Sequence, residues 1–154
     1  MSDETPPSAA VVVRWGDDII DALDEPSRYH AEIAALPAAI ANVICVELLD
    51  WQVRNGGFHQ YFFNSYGITI NGAIRGFEAM GLPQCAEIAR AARDRFGQSF
   101  PEDRGDRIGW VGDVGHRKTM NFDELDGAYY ALDRKEIYAV LDLYATAAMK
   151  GRLQ

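Results

Sequence analysis

The sequence predicts an all-α protein that folds as a single compact domain of about seven helices. Three observations support this fold class. Apolar residues recur at steps of three and four along most of the chain, which places them on one face of a helix. Prolines and glycines separate these segments with only short turns between them. The length of 154 residues suits one domain with one hydrophobic core.

The first third of the chain is predicted to contain a lead-in followed by three helices. Residues 1–8 carry two prolines and are expected to form a flexible lead-in to a helical domain at 9–154. The three predicted helices cover residues 8–23, 27–36 and 37–54. Gly16 weakens the first of them by about 1 kcal/mol relative to alanine. Pro26 is expected to end it.

The rest of the chain is predicted to be helical except near residues 97–121. The predicted helices cover 70–80, 83–96 and 124–132, followed by a last helix capped by Asp133, and residues 58–65 are considered below as a further short helix. Glycines, Pro101 and mixed charges break the apolar pattern between residues 97 and 121. One long ordered loop or a small hairpin is therefore expected there.

The charge of the chain limits the partners it can bind. The formal net charge is −8, and residues 1–50 alone hold ten acidic residues and two arginines. An acidic protein repels phosphate backbones and attracts basic partners, so direct nucleic-acid binding is not expected. The first residues, MSDETPPS, are acidic and do not indicate a signal peptide. No apolar run reaches the length of a membrane span, so no membrane partner and a cytoplasmic location are expected.

An acidic cluster near the N-terminus is the candidate partner-binding surface. Its members are Asp17, Asp18, Asp21, Asp24, Glu25 and Glu32. The first five fall within about 12 Å if the segment is one continuous helix with a rise of about 1.5 Å per residue. Duplex DNA carries one charge per roughly 1.7 Å, so the charge densities are comparable. The alternative is that the cluster is only the solvated face of an amphipathic helix.

The stretch NGGFHQYFFNSYG at residues 55–67 combines aromatic, amide and glycine residues. Phe58, Tyr61 and Phe62 share one face of a short helix, which favours a place in the core. Gly56 and Gly57 would allow positive φ angles between two helices, so a hinge is the leading interpretation. The alternative is a small-ligand or peptide pocket. Its candidate residues are Asn55, Gly56, Gly57, His59, Gln60, Asn64 and Trp110, the last acting as a lid.

Enzymatic and metal chemistry receive little support from the sequence. His59 has Ser65, Asn55 and Asn64 as conceivable neighbours, but no nucleophile motif accompanies them. A hydrolase that uses His59 remains the third hypothesis. The three histidines, His30, His59 and His116, lie far apart in the chain and have no ligand spacing, so a metal site is not expected.

Two segments resemble a known family. Glu47, the stretch NGGFHQYFFNSYG with its core NGGF-x-QYF-x-NS, and then Ile74, Phe77 and Gly81 resemble uncharacterised helical domains named after a bacterial DNA-mimic protein. The run FDELDGAYYALDRKEIYAVLDLYA at 122–145 is also similar to that family's closing helices. The resemblance covers about residues 35–146.

The resemblance implies a regulatory protein without catalytic residues or a cofactor. In the member that gives the family its name, an acidic dimer presents a DNA-like surface to a transcription factor. The leading hypothesis is therefore a non-enzymatic binding protein whose acidic surface engages a basic DNA-binding protein, with a homodimer as a further expectation. A ligand-binding module with a pocket near the central stretch remains the alternative function.

Overall fold

The computed structural model describes residues 5–112 and 120–153 and confirms the all-α fold. Nine α-helices and one 3-10 turn occupy this part of the chain, and it contains no strand. The helices are α1 Pro7–Trp15, α2 Asp17–Asp21, α3 Pro26–Ala34, α4 Ala38–Phe63, α5 Ile70–Ala79, α6 Pro83–Asp94, α7 Arg104–Val111, α8 Asp123–Tyr130 and α9 Arg134–Met149. The 3-10 turn covers Ser65–Thr69 between α4 and α5.

Helix α4 is the central element of the fold. It packs against α1, α5, α7, α8 and α9, so nearly every residue between positions 39 and 50 is buried. The helix predicted at 37–54 is therefore confirmed. A short helix was expected after it at 58–65, and residues 58–63 of that segment form the last part of α4, which ends at Phe63.

The N-terminal helices differ from the predicted single helix at 8–23. The helix begins at Pro7, one residue before Ser8, and Ser8 itself is fully buried. It is interrupted at Gly16, and α2 ends at Asp21. Glycine at the break is consistent with its low helix propensity. Residues 1–4 of the expected flexible lead-in lie outside the described part of the chain.

A helix lies where a long loop was predicted. Helix α7 occupies Arg104–Val111, and the Asp103 side chain caps it by accepting a hydrogen bond from the backbone N–H of Asp106 at 3.0 Å. This corrects the interpretation of 97–121 as one loop or hairpin. The glycines at 105 and 109 hid the helical pattern, because both lower helix propensity. Residues 113–119, also part of that prediction, lie outside the described residues.

Candidate functional site

The predicted acidic surface is exposed at its N-terminal end. Asp17, Asp18, Asp21 and Asp24 are all exposed, and none of them forms an ion pair within residues 5–112 and 120–153. We use the name acidic surface for these four residues together with Glu25 and Glu32. Unpaired surface carboxylates keep their full charge for a partner, so the first four supply most of its negative potential.

The structure corrects the geometry of this surface in two ways. Because α2 ends at Asp21, Asp24 lies in the turn that follows and not on the same helix. The even spacing of about 1.5 Å per residue therefore applies only from Asp17 to Asp21. In addition, Glu25 pairs with Arg28 at 3.2 Å, and Glu32 is half-buried. The unpaired charge is concentrated at Asp17–Asp24.

The central stretch contains the predicted hinge, and one of its two glycines has the left-handed conformation. Gly57 has a φ of +77°, whereas Gly56 has a φ of −155°. The expected positive φ is therefore confirmed for Gly57 and wrong for Gly56. A Cβ atom on Gly57 would lie 2.5 Å from Oδ2 of Asp126, so a larger residue does not fit.

Asp126 completes this hinge and was missed from the sequence. Its Oδ1 accepts a hydrogen bond from the backbone N–H of Phe58 at 2.8 Å, at the point where the helix resumes. Partial burial raises the pKa of Asp126, and the hydrogen bond from Phe58 opposes that rise. Only the tertiary fold brings these residues together, because they are 68 positions apart.

The aromatic residues of the stretch belong to the core, as predicted for three of them. Phe58, Tyr61 and Phe62 are fully buried, and Phe62 packs against Phe96 with ring centroids 4.9 Å apart. Phe63 is the exception, since it is exposed and packs against Arg104. These three buried rings therefore fix α4 in the core and do not form a row of ligand contacts.

The predicted pocket amides bind one another. Nε2 of Gln60 and Nδ2 of Asn64 both donate to Oε1 of Gln52, at 3.2 and 2.9 Å, and Asn55 contacts Gln60 at 3.4 Å. A Cβ on Gly56 would meet Gln60 Oε1 at 1.9 Å. Five cavities among the described residues are lined by residues outside this cluster. A pocket at the cluster stays a prediction.

His59 contacts helix α7, which also carries Trp110. Helix α7 places the Val111 carbonyl 3.2 Å from Nε2 of His59, and Phe63 stacks on the imidazole. Trp110, the neighbour of Val111, packs its ring against Phe96. No hydroxyl group is among these described partners of His59. His116 lies outside the described residues.

Arg107 is a buried cation that sequence analysis did not single out. Its side chain is 0% exposed and donates to four backbone carbonyl groups, those of Phe62, Asn64, Pro101 and Glu102, at 2.7 to 3.2 Å. Burial lowers the pKa of Arg107. The guanidinium group joins the end of α4 to the segment before α7, so its role is structural.

A second polar cluster lies within the otherwise apolar α4 and was also missed. Oδ1 of Asp50 accepts hydrogen bonds from Tyr129 Oη at 2.7 Å and from Arg54 Nε at 2.9 Å. Oδ2 of Asp50 accepts from Tyr138 Oη at 2.5 Å, and the same Tyr138 oxygen lies 3.1 Å from Oε1 of Glu47. Two carboxyl groups three positions apart on a buried helix are the signal that could have revealed it. We call these five residues the carboxyl–tyrosine cluster.

Glu47 and Asp50 compete for the hydroxyl hydrogen of Tyr138. Tyr138 has one hydroxyl hydrogen, and its shorter contact uses that hydrogen for Asp50. The same hydroxyl group is also the donor for Oε1 of Glu47 at 3.1 Å, so the two carboxyl groups share one donor. Burial raises the pKa of Glu47 to about 7, and the charges of Asp50 and Asp142 add to the rise. The nearby hydroxyl groups of Tyr138 and Ser8 lower the pKa by less.

Comparison with known families decides the classification. The family described as DMP19-like protein matches residues 34–149, which is about three quarters of the chain. The chain belongs to the DMP19-like family. The match agrees with the resemblance expected over residues 35–146. No curated protein and no solved structure matches the chain.

The DMP19-like region divides the candidate sites into two groups. The central stretch and the carboxyl–tyrosine cluster lie inside residues 34–149. The acidic surface ends at Glu32 and lies outside it. Family membership therefore gives no support to the acidic surface, which depends on the charges of this chain alone.

Within residues 5–112 and 120–153, the DMP19-like chain has neither a metal-binding group of side chains nor a helix that could span a membrane. No group of three or more histidine, cysteine or acidic residues is arranged to hold a metal ion there. None of the helices in that part is long and apolar enough to cross a bilayer.

Proposed function

We propose that this DMP19-like protein is a non-enzymatic regulatory protein whose acidic surface binds a basic DNA-binding protein in place of DNA. The observation that carries the proposal is the exposed, unpaired group Asp17, Asp18, Asp21 and Asp24. Family membership supports only the broader class of DNA-mimic-type protein, because the family takes its name from a DNA mimic and its matched region does not include the acidic surface. A cytoplasmic location and a homodimer that doubles the acidic surface are parts of the same proposal.

The charge spacing gives the proposal its physical basis. Asp17, Asp18 and Asp21 span four residue steps, or about 6 Å of helix axis. Duplex DNA presents about three to four charges over that length, counting both strands. The local density is therefore similar to that of DNA, although the surface is short. A basic partner would exchange its phosphate contacts for contacts with these carboxylates.

The test compares two variants that change the net charge equally. One reverses the acidic surface with Asp17→Lys, Asp21→Lys and Asp24→Lys. The control carries Glu87→Lys, Glu124→Lys and Glu136→Lys, three exposed acidic residues elsewhere on the protein. Each protein is used for capture from a native cell extract at about 0.05 and about 0.3 M salt, a range over which exposed charge pairing weakens.

The expected result is a basic DNA-binding protein that is captured by the native protein and by the control, but not by the reversed variant. The captured protein is then purified, and its binding to its own DNA site is measured by mobility shift. Added native protein should release the DNA, and the reversed variant should not. Capture that survives the reversal, or a captured protein that keeps its DNA, contradicts the proposal.

A further inference from the structure

The carboxyl–tyrosine cluster opens onto a cavity of about 400 Å³ between α1, α4 and α9. Its lining residues are Pro6, Ser8, Ala9, Glu47, Trp51, Arg134, Lys135 and Tyr138. We call it the α1–α4–α9 cavity. Its size is within the range of small-molecule sites, and it lies apart from the acidic surface. An inference about it is therefore independent of the proposed function.

The floor of the cavity carries polar groups that have unused hydrogen-bonding capacity. The Ser8 hydroxyl is completely buried and has no hydrogen-bond partner among the described residues. Glu47 is 1% exposed, accepts from Tyr138 with Oε1, and has the Ser8 hydroxyl close to its carboxyl group. Buried polar groups are rarely left unpaired, so an unsatisfied hydroxyl beside a buried carboxyl group indicates a place for a ligand donor group.

The wall of the cavity is aromatic, and its rim is positively charged. Trp51 contributes a large aromatic surface and is 43% exposed, although it belongs to the central helix. Arg134 and Lys135 begin α9 and are both exposed. The cavity therefore offers an acceptor at its floor, an apolar wall and two cations at its rim. A ligand that satisfies all three has an ammonium group, an apolar body and an anionic group.

We propose that the α1–α4–α9 cavity binds an α-amino acid with an apolar side chain, with the ammonium group on Glu47 and Ser8 and the carboxylate on Arg134 and Lys135. The apolar side chain packs against Trp51. Where Glu47 is protonated, the ammonium group takes the place of its proton, so binding below about pH 7 releases up to one proton. Neither a simple amine nor a simple carboxylate uses both ends of the cavity.

The pH dependence of binding follows from the groups around Glu47. Asp50 on the same helix and Asp142 on α9 both oppose its ionisation, and Tyr138 and Ser8 favour it. Arg134 and Lys135 at the rim are the cations nearest to the ligand. With Glu47 titrating at about 7, affinity for the ammonium group should rise by about fivefold to tenfold between about pH 6 and about pH 7.5. Glu47→Gln should remove that rise.

The experiment is a calorimetric titration of the full chain with L-phenylalanine and L-leucine. Each has two matched probes, the amino acid amide, which lacks the carboxylate, and the N-acetyl amino acid, which lacks the ammonium group. Saturable binding of a free amino acid, at least about tenfold tighter than that of either matched probe, is the expected result. No detectable binding of either amino acid overturns the proposal.

Variants locate the site. Glu47→Gln and Arg134→Gln should each weaken binding by about tenfold, because each removes one charge-assisted contact. Trp51→Ala should weaken it by about fivefold or more. Lys150→Gln removes an exposed cation from the other end of α9 and should have no effect. Since Trp51 and Arg134 are exposed, their variants keep the test valid even if Glu47→Gln fails to fold. Equal binding by all variants overturns the proposal.

Discussion

The replacement Glu47→Gln should stabilise the protein at alkaline pH and leave it nearly unchanged at acid pH. Glutamine has the shape of protonated glutamate, and its Oε1 can accept from Tyr138 Oη as the carboxyl oxygen of Glu47 does. The variant therefore preserves the hydrogen bond and removes only the ability to ionise. Any difference in pH dependence between the two proteins reports the cost of charging Glu47 inside the fold.

The magnitude follows from the two pKa values. The pKa of Glu47 rises from 4.5, the ordinary value, to about 7 in the folded protein. Between these values the folded state holds the proton and the unfolded state has lost it, so stability falls as pH rises. This rise in pKa corresponds to about 3 kcal/mol in the free energy of unfolding, most of which is lost between about pH 5 and pH 8. Glu47→Gln should not show this loss.

The assay is urea unfolding of both proteins at about pH 5 and about pH 8, monitored by circular dichroism. The native protein should lose about 2 to 3 kcal/mol more than the variant over that interval. Glu87→Gln, at an exposed position on α6, serves as the control for removing one carboxylate and should follow the native protein. If the stability of the native protein and of Glu47→Gln changed in parallel with pH, the raised pKa of the buried Glu47 would be refuted.

Three further substitutions test the other contacts by the same unfolding assay. Gly57→Ala should destabilise the protein by about 2 kcal/mol or more, because of its positive φ and the contact with Asp126, whereas Gly127→Ala, in open space on α8, should stabilise it by up to about 1 kcal/mol. Arg107→Met should cost about 3 to 5 kcal/mol, since four carbonyl groups lose their donor; a smaller loss than about 1 kcal/mol would contradict that role. Tyr129→Phe should cost about 1 to 3 kcal/mol, and no change would mean that the Asp50 contact adds no stability.

The helices were predictable because their evidence is local. The segment predicted at 70–80 is observed as Ile70–Ala79, and Asp133 caps α9 by accepting hydrogen bonds from the backbone N–H groups of Lys135 and Glu136. Both features depend on residues within one or two helical turns. The glycine hinge was predictable for the same reason, although which glycine takes the positive φ was not.

The polar sites were not predictable because their partners are distant in sequence. Asp50 meets Tyr129 and Tyr138 across 79 and 88 positions. Arg107 meets the carbonyl of Phe62 across 45 positions. Periodicity assigns such residues to a helix face but does not identify what packs against that face. The sequence did contain one usable signal, a pair of acidic residues in a helix that is otherwise apolar.

The N-terminal residues belong to the same structural unit as the DMP19-like region, although they precede it. Val11 and Val12 of α1 are buried in the shared core, and the backbone N–H of Ser8 donates to Oδ1 of Asp142 on α9 at 3.0 Å. Ile19 of α2 is buried as well. Because the buried sides of α1 and α2 are fixed to the core, the carboxylates of Asp17, Asp18 and Asp21 extend from an ordered helix. A partner can therefore bind a charge arrangement that is already formed, which avoids the entropic cost of ordering a flexible acidic tail.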